Sequence, residues 1–330
     1  MRAPEPGGSE PGGSAPDGAP DWFVRNRAVL PDEGTTVVDG CDVRWLRWGP
    51  AGADPLVLVH GGGASARWWV PLAPFLTPHR QVVALDLSGM GDSGWRRSGY
   101  RTEDWATEVL ACAADAAGSG RPPVLVGHSL GGSVVAVAGA LHPDAVRAVV
   151  LCDTGVSRSL RTGRDGRHFR NRLTYRSEAE AVERFKLIPR QDCANWWMVD
   201  HLARSSVRPV GPTGPDDRTL PAPGTEMAWT WKFDWRLFAR TYEQPFAAYL
   251  DRLGRSSVPV ACINGELSRI VTTEVAARLA AHLPDALQVS IPEARHHLML
   301  DQPIAFVAAL RAVLTALVGD LPLGTAPAPD

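Results

Sequence analysis

The chain has 330 residues, 45% of them hydrophobic and 21% charged, and 34 basic against 36 acidic side chains leave a net charge of −2. That composition fits one large globular core, or a core with an inserted piece, and excludes a collagen-like or wholly disordered polypeptide. So small a charge gives no electrostatic ground for a nucleic acid or an anionic membrane as partner.

In chain order, residues 1–34 open with MRAPEPGGSEPGGSAPDGAP, rich in Gly, Pro and Ser and lacking the apolar stretch of a signal peptide. They are expected to form an irregular lead-in. Short apolar runs then fall at 36–38, 43–48, 56–60, 81–85, 124–127, 148–153, 259–264 and 287–291. Several are apolar at every position, the pattern of parallel strands covered on both faces. Helical spacing occupies 102–117, 131–141, 273–282 and 303–318, the last announced by Asp301 as a capping side chain and by Pro303. The first two runs lie close enough for a hairpin. The rest alternates strand with helix, which predicts an α/β class doubly wound sheet, mostly parallel.

The alternation stops over 155–255, an Arg- and Trp-rich stretch read as a mainly helical lid inserted between core segments 35–154 and 256–318. Residues 319–330 read as a flexible tail. No apolar segment reaches the length of a membrane span. Five scattered cysteines form no CxxC pair, so metal and redox chemistry are not indicated and a reducing, cytoplasmic compartment fits.

The chemistry begins at VLVGHSLGG, 124–132, where a strand runs into Gly127-His128-Ser129-Leu130-Gly131 and then a helix. A tight turn in that context strains the serine backbone and lifts its hydroxyl above the sheet edge, beside the positive end of the helix. Ser129 is therefore the candidate nucleophile. With this motif, HGGGASARWW at 60–69, DLSGMGDSG at 86–94 and PEARHHLMLDQP at 292–303, the chain resembles the α/β-hydrolase superfamily over roughly residues 35–318.

The resemblance implies the α/β-hydrolase fold and an oxyanion hole built from the N–H groups of Gly62, or Gly63, and Leu130. It implies that Asp86 and Asp92 are structural. It places the base at His296 rather than His297, because the acid and proline of the family pattern fall at Asp301 and Pro303. The usual acid position, fourth in the loop 265–268, holds Ser268, which cannot supply a carboxylate. Two residues compete to replace it. Asp153 ends the strand next to the nucleophile strand, where some members of the superfamily carry their acid, and Glu266 shares the loop with Ser268. Asp153 is preferred, and it keeps the order Ser129, Asp153, His296.

Trp68 and Trp69 beside the oxyanion loop, and Trp196, Trp197 and Trp231 in the insertion, are candidates for an aromatic-lined substrate pocket; packing the lid onto the core is their other reading. These residues predict a serine hydrolase, free of metal and cofactor, that cleaves an ester, thioester or lactone of a bulky apolar small molecule through an acyl-enzyme. Two alternatives stay open: hydrolysis of a C–C bond in a ring-cleavage product or β-diketone, and a non-catalytic ligand-binding protein on the same scaffold. The latter rests on the serine at 268. The sequence gives no oligomeric state.

Overall fold

A computed structural model describes residues 18–118, 120–156, 173–210, 228–237 and 246–319. The strands, in chain order, are β1 Asp32–Val38, β2 Cys41–Trp48, β3 Asp54–Val59, β4 Arg80–Leu85, β5 Val124–His128, β6 Ala148–Cys152, β7 Thr174–Tyr175, β8 Val207–Val210, β9 Ala228–Trp231, β10 Val260–Gly265 and β11 Leu287–Ile291. Eight of them form one sheet in the order β1-β2-β4-β3-β5-β6-β10-β11. The pairs β1–β2 and β2–β4 are antiparallel, and every pair from β4 to β11 is parallel. The apolar runs were a sound guide: β4, β5 and β6 are buried at every residue.

Helices cover both faces. Thr102–Ala117, Leu130–Leu141 and Phe246–Gly254 pack one core around Trp105, Val134 and Leu250, while Pro303–Val318 closes the other around Trp69, Leu72 and Phe306. The chain leaves β3 toward β4, then returns to place β5 on the opposite side of β3. Such a reversal opens a crevice at the carboxyl ends of the strands, where ligands of α/β sheets bind.

Three expectations need correction. The lead-in is ordered in its second half: Asp21–Arg27 is a helix, β1 starts at Asp32, and Phe23 is 0% exposed. Trp22 and Phe23 supply apolar surface that the Gly/Pro-rich run before them lacks, and both pack against Trp197, edge-on and tilted, with ring centroids at 5.4 and 4.6 Å. The insertion between β6 and β10 is not only helical. Besides Glu178–Glu183, Trp196–Ser205 and Phe246–Gly254 it holds an antiparallel sheet, β7-β9-β8, whose strands of two to four residues are too short to show a period. Finally, Asp301 does not cap the last helix, since Gln302 takes that position; Asp301 lies in the short helix Leu298–Asp301. Residues 1–17 and 320–330, and parts of the insertion including the Pro/Gly-dense stretch 211–224, lie outside the described residues.

The crossing of β5 into its helix depends on absent side chains. A Cβ on Gly131 would collide with the carbonyls of Val59 and His60, and one on Gly127 with the backbone of Gly131. Gly131→Ala is expected to lose about 3 kcal/mol or more in urea unfolding, because rigid backbone must move. Gly155→Ala, whose added methyl would meet nothing nearer than 3.7 Å, is the control and should change stability by less than about 1 kcal/mol.

His60, directly after β3, is 1% exposed and bonded through both ring nitrogens: to the carbonyl of Gly61 at 2.7 Å and from the N–H of Leu87 at 3.1 Å. Burial pushes its imidazole down to about 4 from 6.5. Above pH 6.5 the ring is neutral in both folded and unfolded chains. Between 6.5 and about 4 only the unfolded chain takes the proton, so stability falls with pH, by up to about 3 kcal/mol from this group. An NMR titration should show the His60 ring unprotonated until about pH 4; titration near 6.5 in the folded protein would overturn this assignment.

Candidate active site

Ser129 sits between the end of β5 and the start of the helix Leu130–Leu141, with φ 53° and ψ −114°. Few non-glycine residues adopt that backbone, and here it is held by a hydrogen bond from the Ser129 N–H to the carbonyl of Cys152 at 2.9 Å. The strain turns Oγ away from the sheet toward His296, whose Nε2 lies 3.1 Å away.

His296 is 3% exposed, in the loop after β11. Its Nδ1 donates to Oδ2 of Asp153 at 2.6 Å. An ionised carboxylate only accepts, so this bond fixes the proton on Nδ1 and leaves the Nε2 lone pair facing the Ser129 hydroxyl. Asp153 follows β6, is 0% exposed and has φ 46°, so the carboxylate residue, like the serine, occupies a strained strand end.

The buried carboxylate has two further donors, one from the last residue of β10 and one from the loop that follows it. The N–H of Gly265 reaches Oδ1 at 3.1 Å, and the hydroxyl of Ser268 reaches Oδ2 at 2.6 Å. Ser268 Oγ in turn accepts from the N–H groups of Ile270 and Val271 at 3.1 and 3.0 Å. The residue at position 268 thus hydrogen-bonds a carboxylate supplied by the neighbouring strand. Glu266 is exposed and accepts the N–H of Glu293 at 2.9 Å, so it is directed away from His296. With a carboxylate 2.6 Å from His296, the serine at 268 no longer argues for a non-catalytic scaffold.

The loop after β3 is braced by residues 86–90. Asp86 accepts the N–H of Ala66 at 2.6 Å and that of Asp92 at 2.8 Å, and Met90 Sδ accepts the N–H of Gly63 at 3.2 Å. Gly63 is therefore already engaged, which favours Gly62 as this loop's donor. Burial, and then the neighbouring charge of Asp92, raise the Asp86 carboxyl to about 6.

The five tryptophans separate. Trp68 lies beside the histidines, 5.4 Å from the His297 ring and 6.4 Å from His128. Trp69 is 1% exposed and packs on Phe306; Trp197 packs on Trp22 and Phe23; Trp231 donates to the hydroxyl of Tyr175 within the small sheet; Trp196 is 48% exposed. Trp69 and Trp197 are buried in these contacts, where large apolar rings gain most, and Trp231 is half-buried in its own.

Several polar residues of the insertion that the sequence did not single out hold the site loops. Gln191 accepts the N–H of His297 at 3.1 Å and donates to both oxygens of Asp301, while Asn195 donates to the carbonyl of Leu300 at 2.7 Å. On the other side Lys232 pairs with Asp92 at 2.9 Å, the N–H of Asp234 reaches the carbonyl of Gly89 at 2.7 Å, and Tyr100 donates to the buried Asp234 at 2.8 Å.

Residues 54–303 match the family model described as alpha/beta hydrolase fold. Esterase Rv0045c of Mycobacterium tuberculosis is 28% identical over 278 residues, which are 82% of this chain and 85% of that protein. Lipase LipV of the same organism is 39% identical over 116 residues, but the match spans only 35% of this chain and 43% of the lipase. Among solved structures, E-2-(acetamidomethylene)succinate hydrolase superposes with a TM-score of 0.66 at 19% identity, covering 88% of this chain and all of that one (100%). A structure of esterase Rv0045c gives 0.64 at 23% identity, covering 89% and 96%. With a family model that matches well over half its length, this chain belongs to the alpha/beta hydrolase fold family.

Proposed function

We propose that the protein is a serine hydrolase that cleaves an ester, thioester or lactone of a bulky apolar or aromatic small molecule through an acyl-enzyme. The observation that carries this reading is the line from Ser129 Oγ to His296 Nε2, 3.1 Å, and from His296 Nδ1 to Asp153 Oδ2, 2.6 Å. Relatives named esterase and lipase support the bond type.

In the proposed cycle the Ser129 hydroxyl passes its proton to His296 Nε2 as Oγ attacks the substrate carbonyl carbon. The carbonyl oxygen becomes negative and takes hydrogen bonds from the N–H groups of Gly62 and Leu130; losing one such donor costs about 3 kcal/mol of barrier. Collapse breaks the bond to the leaving group, which takes the proton back from His296. Water then gives a proton to His296 and attacks the acyl carbon, and Ser129 recovers its proton on release of the acid. Asp153 keeps its charge throughout and stabilises the imidazolium. The insertion acts as a lid over this site, and Trp68 supplies an apolar wall to the pocket.

A second reading, cleavage of a C–C bond by the same groups, draws on a part-length relative. The 2-hydroxy-6-oxo-6-(2'-aminophenyl)hexa-2,4-dienoic acid hydrolase of Metapseudomonas resinovorans is 32% identical over 34% of this chain and 39% of its own.

A fluorophosphonate reports on the nucleophile without a known substrate. Intact mass spectrometry is expected to show one adduct, on Ser129, absent in Ser129→Ala. Asp153→Asn should slow labelling by a factor on the order of 10²–10⁴, since the imidazole loses its orienting charge. Ser268→Ala, which removes one hydrogen bond from that carboxylate, should slow it about tenfold, and Glu266→Gln should stay within about twofold. Slow labelling of the wild type, or an adduct that survives Ser129→Ala, would sink the proposal. Aryl esters and vinylogous diketones offered side by side then separate the two bond types.

A further inference from the structure

His296 can serve as a base only while its ring faces Asp153 and Ser129 at once, and a side chain is aimed by the backbone that carries it. The peptide unit joining His296 to His297 is rigid and planar, and it is held at both ends. Its carbonyl accepts the Nε2 proton of His128 at 2.9 Å, and its N–H donates to Oε1 of Gln191 at 3.1 Å. His128 is the last residue of β5, next to Ser129. Gln191 belongs to the insertion. One end of the plane is thus fixed by the nucleophile turn and the other by the insertion.

Gln191 is itself oriented. Its Nε2 donates to both oxygens of Asp301, at 3.0 and 2.9 Å, which turns Oε1 toward the His297 N–H. The same carboxylate accepts the N–H of Arg295 at 2.7 Å. Asp301 therefore holds the residue before His296 directly and the residue after it through Gln191. The rest of this loop, which joins the helices Glu178–Glu183 and Trp196–Ser205, is fastened to the same stretch of chain. Asn195 donates to the carbonyls of Leu300 and Asp301 at 2.7 and 3.0 Å, Cys193 reaches that of Leu300 at 3.6 Å, and the carbonyls of Ile188 and Pro189 meet the His297 ring.

We propose that Gln191 is a positioning residue for the base: it carries the placement of the insertion into the peptide plane that aims His296, so the base is competent only while this loop is docked. Gln191 touches no reacting atom. Its effect runs through the backbone to the line between the imidazole and the Ser129 hydroxyl, where a misplacement of about 1 Å can cost on the order of 10²-fold in rate. An insertion that swings away to admit or release a ligand thereby disarms the base as it opens, and bond cleavage is confined to the closed state. The inference rests on the serine-hydrolase reading proposed above.

The test labels the full chain over a range of fluorophosphonate concentrations, which separates the maximal rate from the half-saturating concentration. In parallel, NMR of isotope-labelled protein follows the proton on His296 Nδ1, identified by its displacement in Asp153→Asn. Gln191→Met keeps the bulk and removes every hydrogen bond; Gln191→Glu keeps an acceptor for the His297 N–H but sets a second carboxylate against Asp301. Each is expected to lower the maximal rate about tenfold, to leave the half-saturating concentration within about twofold, and to shift or broaden the Nδ1 proton. Gln191→Glu combined with Asp301→Asn reverses the pair, with the new amide donating to the new carboxylate, and should return the rate to within about threefold of wild type. Wild-type maximal rates in both single variants overturn the role. So do slow variants whose Nδ1 proton has not moved, and a folded double variant that shows no recovery. The Nδ1 proton needs no turnover, so a wild type that fails to label while this proton still responds to Gln191→Met would defeat the hydrolase reading and leave the positioning role standing.

Discussion

A carboxylate with no solvent must find its donors within the protein, and this requirement at Asp153 organises the edge of the sheet that carries the candidate site. An isolated buried charge is among the most costly groups a fold can contain. Here the charge is met by the imidazole of His296, the hydroxyl of Ser268 and the N–H of Gly265, three donors at 2.6 to 3.1 Å. They come from the last residue of β10, the loop that follows it and the loop after β11, and the charge itself from the end of β6. One buried group therefore ties three successive strand ends together, and the ring it orients reaches Ser129 at the end of β5. The two strained backbones, at Ser129 and Asp153, flank that ring. Strain of this kind persists only where the surroundings over-determine it.

The insertion adds a second level of constraint. It holds the loop carrying the histidines through Gln191 and Asn195, and it holds the loop that braces 60–66 through Lys232 and Asp234. Both contacts use buried or half-buried hydrogen bonds, whose geometry is more exacting than apolar contact. The chain's beginning takes part too, because Trp22 and Phe23 clasp Trp197 of the insertion from the other side.

Much of this was legible in the sequence, for identifiable reasons. Ser129 stood out because a continuous apolar run, two glycines and a helical pattern surround it, and each of those is a local property. Asp153 was legible as the charged residue ending such a run. His296 was selected over His297 by the spacing to Asp301 and Pro303, although Asp301 turned out to hold the N–H of Arg295 at 2.7 Å and not to cap a helix. What remained hidden depends on distant partners. A serine's hydrogen bonds cannot be read from its neighbours, so position 268 looked like a loss. The tryptophans looked alike because indole is equally at home in a core and in a pocket. The small sheet escaped because two to four residues carry no period.

The hydroxyl at 268 also bears on how such a site can change. Its oxygen stands 2.6 Å from the carboxylate that contacts His296, so a carboxylate built from position 268 would enter the same space. Two acids held that close cannot both ionise; one keeps a proton and donates it to the other. Such a pair would still present one negative charge to the imidazole, and either member could afterwards be exchanged for a neutral residue. The acid of this fold can thus pass from one strand to its neighbour through single replacements, with no intermediate sequence that lacks a charge beside the histidine.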